Sequence, residues 1–438
     1  MCQSDTRFAN LLIQKESCGG TAIATVPGIT SHLGHTMLSI AHKAIVTATV
    51  PLLESGGEAL TTHFYRIMLD EYPEVRPLFN QANQASGAQP RALANAVLMY
   101  ARNIDRLEAL GDLATRIVQK HVALQILPEH YPIVGACLLR AIRDVLGAEI
   151  ATDAVIEAWG AAYGQLADIL IGAEAAEYDR KATAPGGWRG ARAFRVDRKE
   201  AESDEITSFY LKPVDGLALL DFEPGQYIGL RLDVDGQEVR RNYSLSAAAN
   251  GQAYRISVKR QPGGIASSYL HDRVQVGSIL ELFPPAGEFT LVDNDRPLVL
   301  ISGGVGITPT FAMLQAALTR TPTRRVCFIH CARSSKVHAF HLAVEEMARR
   351  HPNVSSFYCY EEASAINDPG RAAHVVGRIG DLSLAQWLPP AADGVRDVDA
   401  FFLGPKPFMQ QVRRSLHALG VPDQQTRFEF FGPASALE

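Results

Sequence analysis

The residue with the clearest capacity to bind a metal is a histidine on an apolar helical face. Around it, residues recur at steps of four, four and three, the spacing of one side of a helix: Leu113, Ile117, His121 and Leu124. By default such a histidine is a core residue with a hydrogen-bonded ring tip, but an imidazole is also the commonest metal ligand. His121 is therefore a candidate metal ligand as well as a candidate core residue.

A carboxylate on another predicted helix favours the ligand interpretation. Bulky residues mark the inner face of that helix: Trp159, Tyr163, Leu166 and Leu170. Glu174 falls on the next turn of the same face, where a carboxylate is costly unless it is paired. Accepting the Nδ1 proton of a histidine would pair it, fix the tautomer and make the other ring nitrogen a stronger ligand.

Elsewhere in the helical region, polar side chains also lie on otherwise apolar helix faces. Gln89 shares one stripe with Leu93, and the Tyr65 hydroxyl belongs to a helix whose other contacts are apolar, in a segment that Phe79 closes. Pro90 is best tolerated in a first helical turn, so we expect Gln89 at a helix start. These residues are candidates for a second, ligand-facing group.

A strand in the middle of the chain resembles the flavin motif of the ferredoxin-reductase superfamily, R-x-Y-S. It reads Arg241, Asn242, Tyr243 and Ser244. A flavin needs a cation for its pyrophosphate, an aromatic face for the isoalloxazine and a hydroxyl near its reactive N5. The tetrapeptide alone is weak evidence, because any surface strand can carry Arg and Tyr.

Further segments, in chain order, match the same superfamily. One segment follows a Pro-Gly turn, and a second ends the next strand. A third begins a helix whose N–H groups can face phosphate. The last closes the chain with an E-x-F-G-P motif. The residues are Gln226, Tyr227, Lys259, Gly263, Gly264, Ser267, Glu429 and Phe431. The resemblance implies that they contact FAD.

A glycine-rich turn follows a predicted buried strand in LVLISGGVGITP. Gly303, Gly304 and Gly306 would let the backbone approach a pyrophosphate, with Thr308 as helix cap and Pro309 as first helical residue. A bare Gly-x-Gly is often only a turn. Its place at the start of an α/β region behind a flavin domain favours dinucleotide binding.

Two later segments bear on the same dinucleotide. LGPKPFM resembles the superfamily's C-G-P-x-x-F-M, with Gly404 and Pro405 matching and Leu403 where a cysteine usually stands. That replacement puts the positioning of the nicotinamide in doubt. Arg333, with Ser334 and Lys336, could hold a 2′-phosphate, but a basic loop is more often a solvated surface, and the family leans to NADH.

Three architectures must position these residues. Residues 37–180 show helical periodicity, 181–187 form a polar linker, 188–293 contain alternating strands of an antiparallel β-barrel, and 294–438 alternate short buried strands with helices of a parallel α/β domain. Residues 1–36 lack periodicity and are expected to be a disordered extension. One hypothesis is that translation starts at Met37.

Composition sets the broad class of the protein. The chain has 438 residues and a net charge of −5, which does not indicate nucleic-acid binding. No apolar run is long enough for a membrane span. Six scattered cysteines are interpreted as reduced thiols of a cytoplasmic protein. A metal site at Cys327, His330 and Cys331 is conceivable, but a strand would send neighbouring side chains to opposite faces.

The helical region resembles a single-domain bacterial globin through HFY, LF, Q-x-x-x-L and KH, and the chain after Met37 is similar to the flavohaemoglobin family. The resemblance implies one haem b held by His121, with Tyr131 and Glu174 behind it. It places Tyr65, Gln89, Leu93 and Phe79 on the distal side, where donors stabilise charge on oxygen and apolar groups restrict the pocket to diatomic ligands.

The same resemblance implies a function. NADH or NADPH would reduce one FAD, the flavin would pass electrons to haem, and NO and O2 would become nitrate, as in a nitric oxide dioxygenase. The chain is expected to be a monomer, with a possible lipid in the distal pocket. Two alternatives stay open: a flavin-mediated reductase of quinones, ferric chelates or hydroperoxides, and a haem oxygen sensor or carrier without enzymatic activity.

Overall fold

The computed structural model describes residues 38–79, 87–362 and 373–432, so the extension expected over residues 1–36 and the start proposed at Met37 lie outside the described residues. Two compact units divide between Arg180 and Lys181. No helix in the described ranges is both long and apolar enough to cross a membrane.

The first unit is helical, as predicted. Its helices are α1 Ile40–Ala48, α2 Val50–Glu71, α3 Ala88–Arg102, α4 Gly111–Leu124, α5 His130–Leu146 and α6 Asp153–Thr183. Helix α2 packs against α3 and α5, and the Thr61 hydroxyl donates a 2.8 Å hydrogen bond to the Pro90 carbonyl. Pro90 lies in the first turn of α3, where its missing N–H costs nothing, which puts Gln89 at the helix start as expected. Helix α6 continues to Thr183, into the segment expected as a linker.

The second unit begins with an antiparallel sheet. Its strands are β1 Arg192–Ala201, β2 Ile206–Pro213, β3 Tyr227–Val234, β4 Gln237–Ser244, β5 Tyr254–Lys259 and β6 Ile279–Leu282, in the order β4-β3-β6-β1-β2-β5. Helix α7, Ile265–Asp272, follows β5. In β5, Tyr254 to Val258 are all buried, so this strand is covered on both sides rather than half-exposed as its alternating sequence suggested.

A parallel sheet completes the second unit. Its strands are β7 Leu298–Gly303, β8 Val326–Ala332, β9 Val354–Tyr360, β10 Val375–Val376, β11 Asp399–Leu403 and β12 Thr426–Phe428, and its helices are α8 Ile307–Arg320, α9 His341–Arg350, α10 Asp381–Trp387 and α11 Lys406–Ala418. The strand order is β10-β9-β8-β7-β11-β12. The order reverses at β7, and ligands of such sheets bind beyond the carboxyl ends of the strands at that point. All three predicted architectures are confirmed.

Candidate functional site

A hydrogen-bonded cluster behind His121 joins helices α4, α5 and α6. The imidazole Nδ1 lies 2.7 Å from Glu174 Oε1 and 3.3 Å from the Tyr131 hydroxyl, which itself donates to Glu174 Oε1 at 2.6 Å. A carboxylate can only accept, so Nδ1 carries a proton, and Nε2 is the ring nitrogen available to a metal. Glu174 is only 2% exposed, which removes water as a competing partner.

The tyrosine of this cluster is itself held in place. The Tyr163 hydroxyl donates a 2.6 Å hydrogen bond to the Tyr131 carbonyl. Gly135 allows the two helices to approach, since a Cβ there would lie 2.6 Å from the Tyr163 ring. Burial, followed by the charge of Glu174, raises the pKa of Tyr131 far above its ordinary value, so the hydroxyl remains a donor.

The face of α4 that carries His121 is not the packed core that the spacing suggested. The fully buried residues of this helix are Val118, Val122 and Ala123. The stripe with Leu113, Ile117 and Leu124 is only half-buried, and the His121 side chain is 32% exposed. Apolar periodicity shows that a face avoids water but not what covers it.

This half-covered face fits a haem group. The His121 Nε2 makes no hydrogen bond to the residues that the structure describes. An imidazole whose Nε2 faces an apolar surface is the ligand that haem iron takes from a globin. The residues present therefore suit a flat apolar macrocycle held by one histidine.

Among the predicted distal residues, Tyr65 contacts both Phe79 and Gln89, and Leu93 lies on the same helix as Gln89. Tyr65 lies on α2 with its ring 5.6 Å from that of Phe79, edge to face, and its hydroxyl is hydrogen-bonded by the Gln89 side chain. Burial raises the pKa of Tyr65 well above its usual value, and the Gln89 bond offsets this only in part. Leu93, one turn after Gln89 on α3, is half-buried against the same helical core.

The flavin motif lies on adjacent strands of the antiparallel sheet. Tyr227 of β3 pairs directly with Ser244 of β4, and Ile228 pairs with Tyr243. The buried Ser244 hydroxyl has no hydrogen-bond partner within the described ranges. A buried hydroxyl without a protein partner fits the N5 edge of a flavin, because it otherwise loses a hydrogen bond.

Arg241 adds a cation three residues before Ser244 on the same strand. It makes no ion pair with the described residues, and its guanidinium donates to the Arg240 carbonyl at 2.6 Å. Burial lowers the pKa of Arg241, and burial raises the pKa of Tyr243. A half-buried cation of this kind suits a bound pyrophosphate.

The remaining flavin candidates differ in their contacts. Gln226 uses its amide within the protein, donating to the Gly287 carbonyl at 3.0 Å. The carboxyl-terminal segment returns to Tyr227, whose pKa is raised by burial and then by the charge of Glu429. Phe431 is 52% exposed, which leaves an aromatic face available. Lys259 instead forms a 2.9 Å ion pair with Glu205.

The predicted phosphate-facing turn after β5 has the expected form. Gly264 is the N-cap of α7, and Gly263 has a positive φ of 70°. The Ser267 hydroxyl lies 3.1 Å from the Gln261 N–H, which donates to it. These contacts fix the turn that begins the helix.

The glycine loop lies at the end of β7, where the strand order reverses. A 3-10 turn, Gly304–Gly306, precedes α8, which starts at Ile307 with Gly306 as N-cap. The expected capping role of Thr308 and the placement of Pro309 as first helical residue are both wrong by two residues, because the helix begins directly after this turn. The Thr308 hydroxyl instead donates to the Val305 carbonyl at 2.9 Å.

A second loop packs directly against this one. A Cβ at Gly306 would lie 2.3 Å from the Leu403 carbonyl, and one at Gly404 would lie 3.1 Å from the Gly303 Cα. The two backbones therefore approach to a distance that only glycine permits. Pro405 is the N-cap of α11, and the Leu403 side chain is fully buried in the core.

Two residues that the sequence did not reveal join the flavin and dinucleotide domains. Glu205 binds Arg333 at 2.6 Å as well as Lys259. Arg255, buried in β5, lies 4.8 Å from the centre of the Phe340 ring. A lone acid in a loop has no local signature, whereas Arg255 carried a weak one, an arginine in an otherwise apolar strand.

Three family models match successive parts of the chain. They are a globin over residues 62–170, an oxidoreductase FAD-binding domain over 193–291 and an oxidoreductase NAD-binding domain over 300–414. These matches agree with the three architectures.

Relatives match the whole arrangement. A flavohemoprotein of Pseudomonas putida is 66% identical over 402 residues, which cover 92% of this chain and 100% of that protein. The crystal structure of a flavohemoglobin from Malassezia yamatoensis with bound FAD and haem covers 91% of this chain and 100% of its own, at 26% identity and a TM-score of 0.78. The FAD/NAD-binding domain of a nitric oxide dioxygenase from Vibrio cholerae is 38% identical, with a TM-score of 0.51, and covers 56% of this chain and 100% of its own. The chain belongs to the flavohemoprotein family.

Proposed function

We propose that the protein is a nitric oxide dioxygenase that converts NO and O2 to nitrate with electrons from NAD(P)H. The observation that carries the proposal is the Glu174-bound imidazole of His121, in a chain that also has a buried flavin hydroxyl at Ser244 and a glycine loop at a strand-order reversal. The similarity to the Vibrio cholerae nitric oxide dioxygenase domain supports it. Bound haem would supply the redox-active iron, and bound FAD would accept electrons in pairs and release them singly.

We assign the haem to residues 37–180, with His121 as its ligand. Glu174 and Tyr131 hold the Nδ1 proton and so keep Nε2 available and electron-rich. On the distal side, the Tyr65 hydroxyl and Gln89 amide are assigned as hydrogen-bond donors. Leu93 and Phe79 would exclude water from the pocket.

FAD is assigned to residues 188–293 and to the carboxyl-terminal segment. Arg241 would meet the pyrophosphate, Tyr243 and Phe431 would offer aromatic faces, and Ser244 would donate near N5. The other proposed contacts are Gln226, Tyr227, Lys259, Gly263, Gly264, Ser267 and Glu429.

The dinucleotide is assigned to residues 294–438, at the carboxyl ends of β7 and β11. The backbone at the two glycine loops would approach its pyrophosphate, and the Arg333 loop would meet its adenosine ribose. The proposed contacts are Gly303, Gly304, Gly306, Thr308, Pro309, Arg333, Gly404 and Pro405.

One experiment separates this function from its alternatives. Anaerobic NADH should first bleach the flavin and then shift the haem absorbance. With O2 present, nitrate should form in proportion to the NO consumed. Flavin bleaching without nitrate would favour a reductase of other oxidants, and a haem spectrum with no flavin reduction would favour a sensor or carrier.

We further propose that the protein acts in the cytoplasm as a monomer. Cys137, Cys327, Cys331 and Cys359 are free thiols, as expected in a reducing compartment that supplies reduced dinucleotide. A single chain carries the candidate contacts for haem, FAD and dinucleotide, so no second copy is required. The apolar side chains of Leu93 and Phe79 would also suit a lipid tail in the distal pocket.

A further inference from the structure

Glu205 joins a cation of the flavin domain to a cation of the dinucleotide domain. Its Oε1 lies 2.9 Å from Lys259 Nζ, and its Oε2 lies 2.6 Å from Arg333 Nη2. The carboxylate is only 14% exposed, whereas the Arg333 side chain is 62% exposed. Each carboxylate oxygen thus has its own cation.

The loop that carries Glu205 is fixed on both sides. The Arg260 N–H donates to the Glu205 carbonyl at 2.7 Å, within the flavin domain. The Asp204 N–H donates to the Lys336 carbonyl at 3.1 Å, which ties the loop to the dinucleotide domain. Because the backbone is held at both points, the carboxylate stays beside Arg333.

Arg333 lies where the protein would contact the adenosine ribose of a bound dinucleotide. It follows β8, the strand next to β7 in the parallel sheet, and so emerges at the carboxyl edge beside the glycine loop. Two further glutamates lie on the neighbouring main chain: the N–H of Glu362 donates to the Arg333 carbonyl at 2.8 Å, and that of Glu361, whose carboxylate pairs with Arg378, donates to the Ala332 carbonyl at 3.1 Å. Both glutamates are exposed.

This arrangement disfavours a 2′-phosphate. The phosphate would need the Arg333 guanidinium, whose Nη2 Glu205 already engages, and it would bring its own negative charge close to that carboxylate. A 2′-hydroxyl brings no charge and can donate a hydrogen bond to a carboxylate. Glu205 thus engages the cation that the 2′-phosphate of NADPH would need, and it provides a hydrogen-bond acceptor for the 2′-hydroxyl of NADH.

We propose that Glu205 sets the dinucleotide preference of this protein, selecting NADH over NADPH by engaging Arg333. This inference rests on the proposed function only in placing a dinucleotide at the carboxyl edge of the parallel sheet. It makes Glu205, a residue of the flavin domain, a specificity determinant of the dinucleotide domain.

The test measures equilibrium binding of NAD+ and NADP+ to the flavin-loaded protein by calorimetry, without turnover. The unaltered protein should bind NAD+ more tightly. Glu205→Gln should release Arg333 and tighten NADP+ binding by about tenfold while changing NAD+ binding by less than about threefold. Adding Arg333→Ala to Glu205→Gln should abolish the gain.

Glu281→Gln is the matched control. It removes a glutamate that forms a bidentate pair with Arg231 at 2.7 Å elsewhere in the flavin domain, and it should leave both affinities unchanged. Tighter binding of NADP+ than NAD+ by the unaltered protein, or an unchanged affinity ratio in Glu205→Gln, would overturn the inference. Absence of nitrate with dinucleotide binding intact would count against the dioxygenase function alone.

Discussion

Glu174 accepts a 2.7 Å hydrogen bond from the Nδ1 of His121 across 53 residues of sequence. The bond connects α6 to α4 and gives the imidazole partial imidazolate character, which strengthens Nε2 as an electron donor. Tyr131 donates to the same carboxylate oxygen at 2.6 Å, so the charge is shared between two donors. In the proposed haem site, the strength of the proximal ligand would therefore depend on a residue that contacts Nδ1 and not Nε2.

Glu174→Gln should slow NO turnover by about tenfold to a hundredfold, because the neutral amide no longer strengthens the imidazole. Flavin reduction by NADH should be unaffected. The iron–histidine stretching band in resonance Raman spectra should shift to lower frequency. Glu157→Gln, an exposed position on the same helix, is the control, and equal slowing of flavin reduction would contradict the assignment.

Tyr65→Phe should accelerate O2 dissociation from the haem-loaded protein. Removing one donor should cost roughly 1 to 3 kcal/mol, which corresponds to about 5- to 150-fold in rate. Flash photolysis of the ferrous protein measures it. Tyr100→Phe removes another buried hydroxyl, which donates to the Ala162 carbonyl at 2.9 Å, and should leave ligand release unchanged. An unaltered O2 rate in Tyr65→Phe would reject its distal role.

Apolar periodicity together with the family resemblance predicted the pairing of His121 with Glu174. A carboxylate on the apolar face of α6 needs a partner, and a histidine on an apolar face was a suitable one, so His121 and Glu174 could be paired without coordinates. The half-exposure of the His121 face could not be predicted, because periodicity identifies an apolar stripe but not the absence of a protein neighbour. The lack of a covering neighbour among residues 38–79 and 87–183 is the feature that fits a haem.

Local motifs predicted the strands and glycine loops but not their long-range contacts. R-x-Y-S placed Ser244 on a strand, yet only the pairing of β4 with β3 put it opposite Tyr227. Glu205 and Arg333 are 128 residues apart, and each lies in a loop. Loop residues have no repeating pattern, so their meeting depends on how two domains dock.

Arg255→Ala should destabilise the second unit and slow hydride transfer. The buried guanidinium donates to the Ser246 hydroxyl at 3.1 Å and lies 5.2 Å from the Phe311 ring and 4.8 Å from the Phe340 ring. Phe340 and Phe311 stack at 4.4 Å on the dinucleotide side, so the arginine fixes one domain against the other. Losing these contacts should cost about 2 to 4 kcal/mol.

Stopped-flow reduction of the flavin and urea unfolding check this expectation. Arg255→Lys should recover little, because an ammonium cannot reproduce the planar stacking and the several directed donors of a guanidinium. Arg198→Ala is the control, since Arg198 lies 3.7 Å from the Tyr210 ring but is 53% exposed. Hydride transfer at the normal rate in Arg255→Ala would remove this residue from domain positioning.

His330 should make the second unit sensitive to mild acid. It is fully buried in β8, with Nδ1 2.9 Å from the Ser302 hydroxyl, and burial, followed by the charge of His341, lowers its pKa to about 3. In the unfolded chain the pKa of a histidine is about 6.5. Between these values the unfolded chain binds a proton that the folded chain does not, so protonation favours unfolding.

The contribution of this neutral ring is therefore fully present above about pH 6.5 and is lost as the pH falls toward about 3, by about 1.4 kcal/mol per unit. Urea unfolding of the second unit at pH 7 and pH 5 should show this slope. His330→Asn should flatten it, whereas His417→Asn, at an exposed position on α11, should leave it intact. A slope that persists in His330→Asn would mean that other groups bind the acid-linked proton.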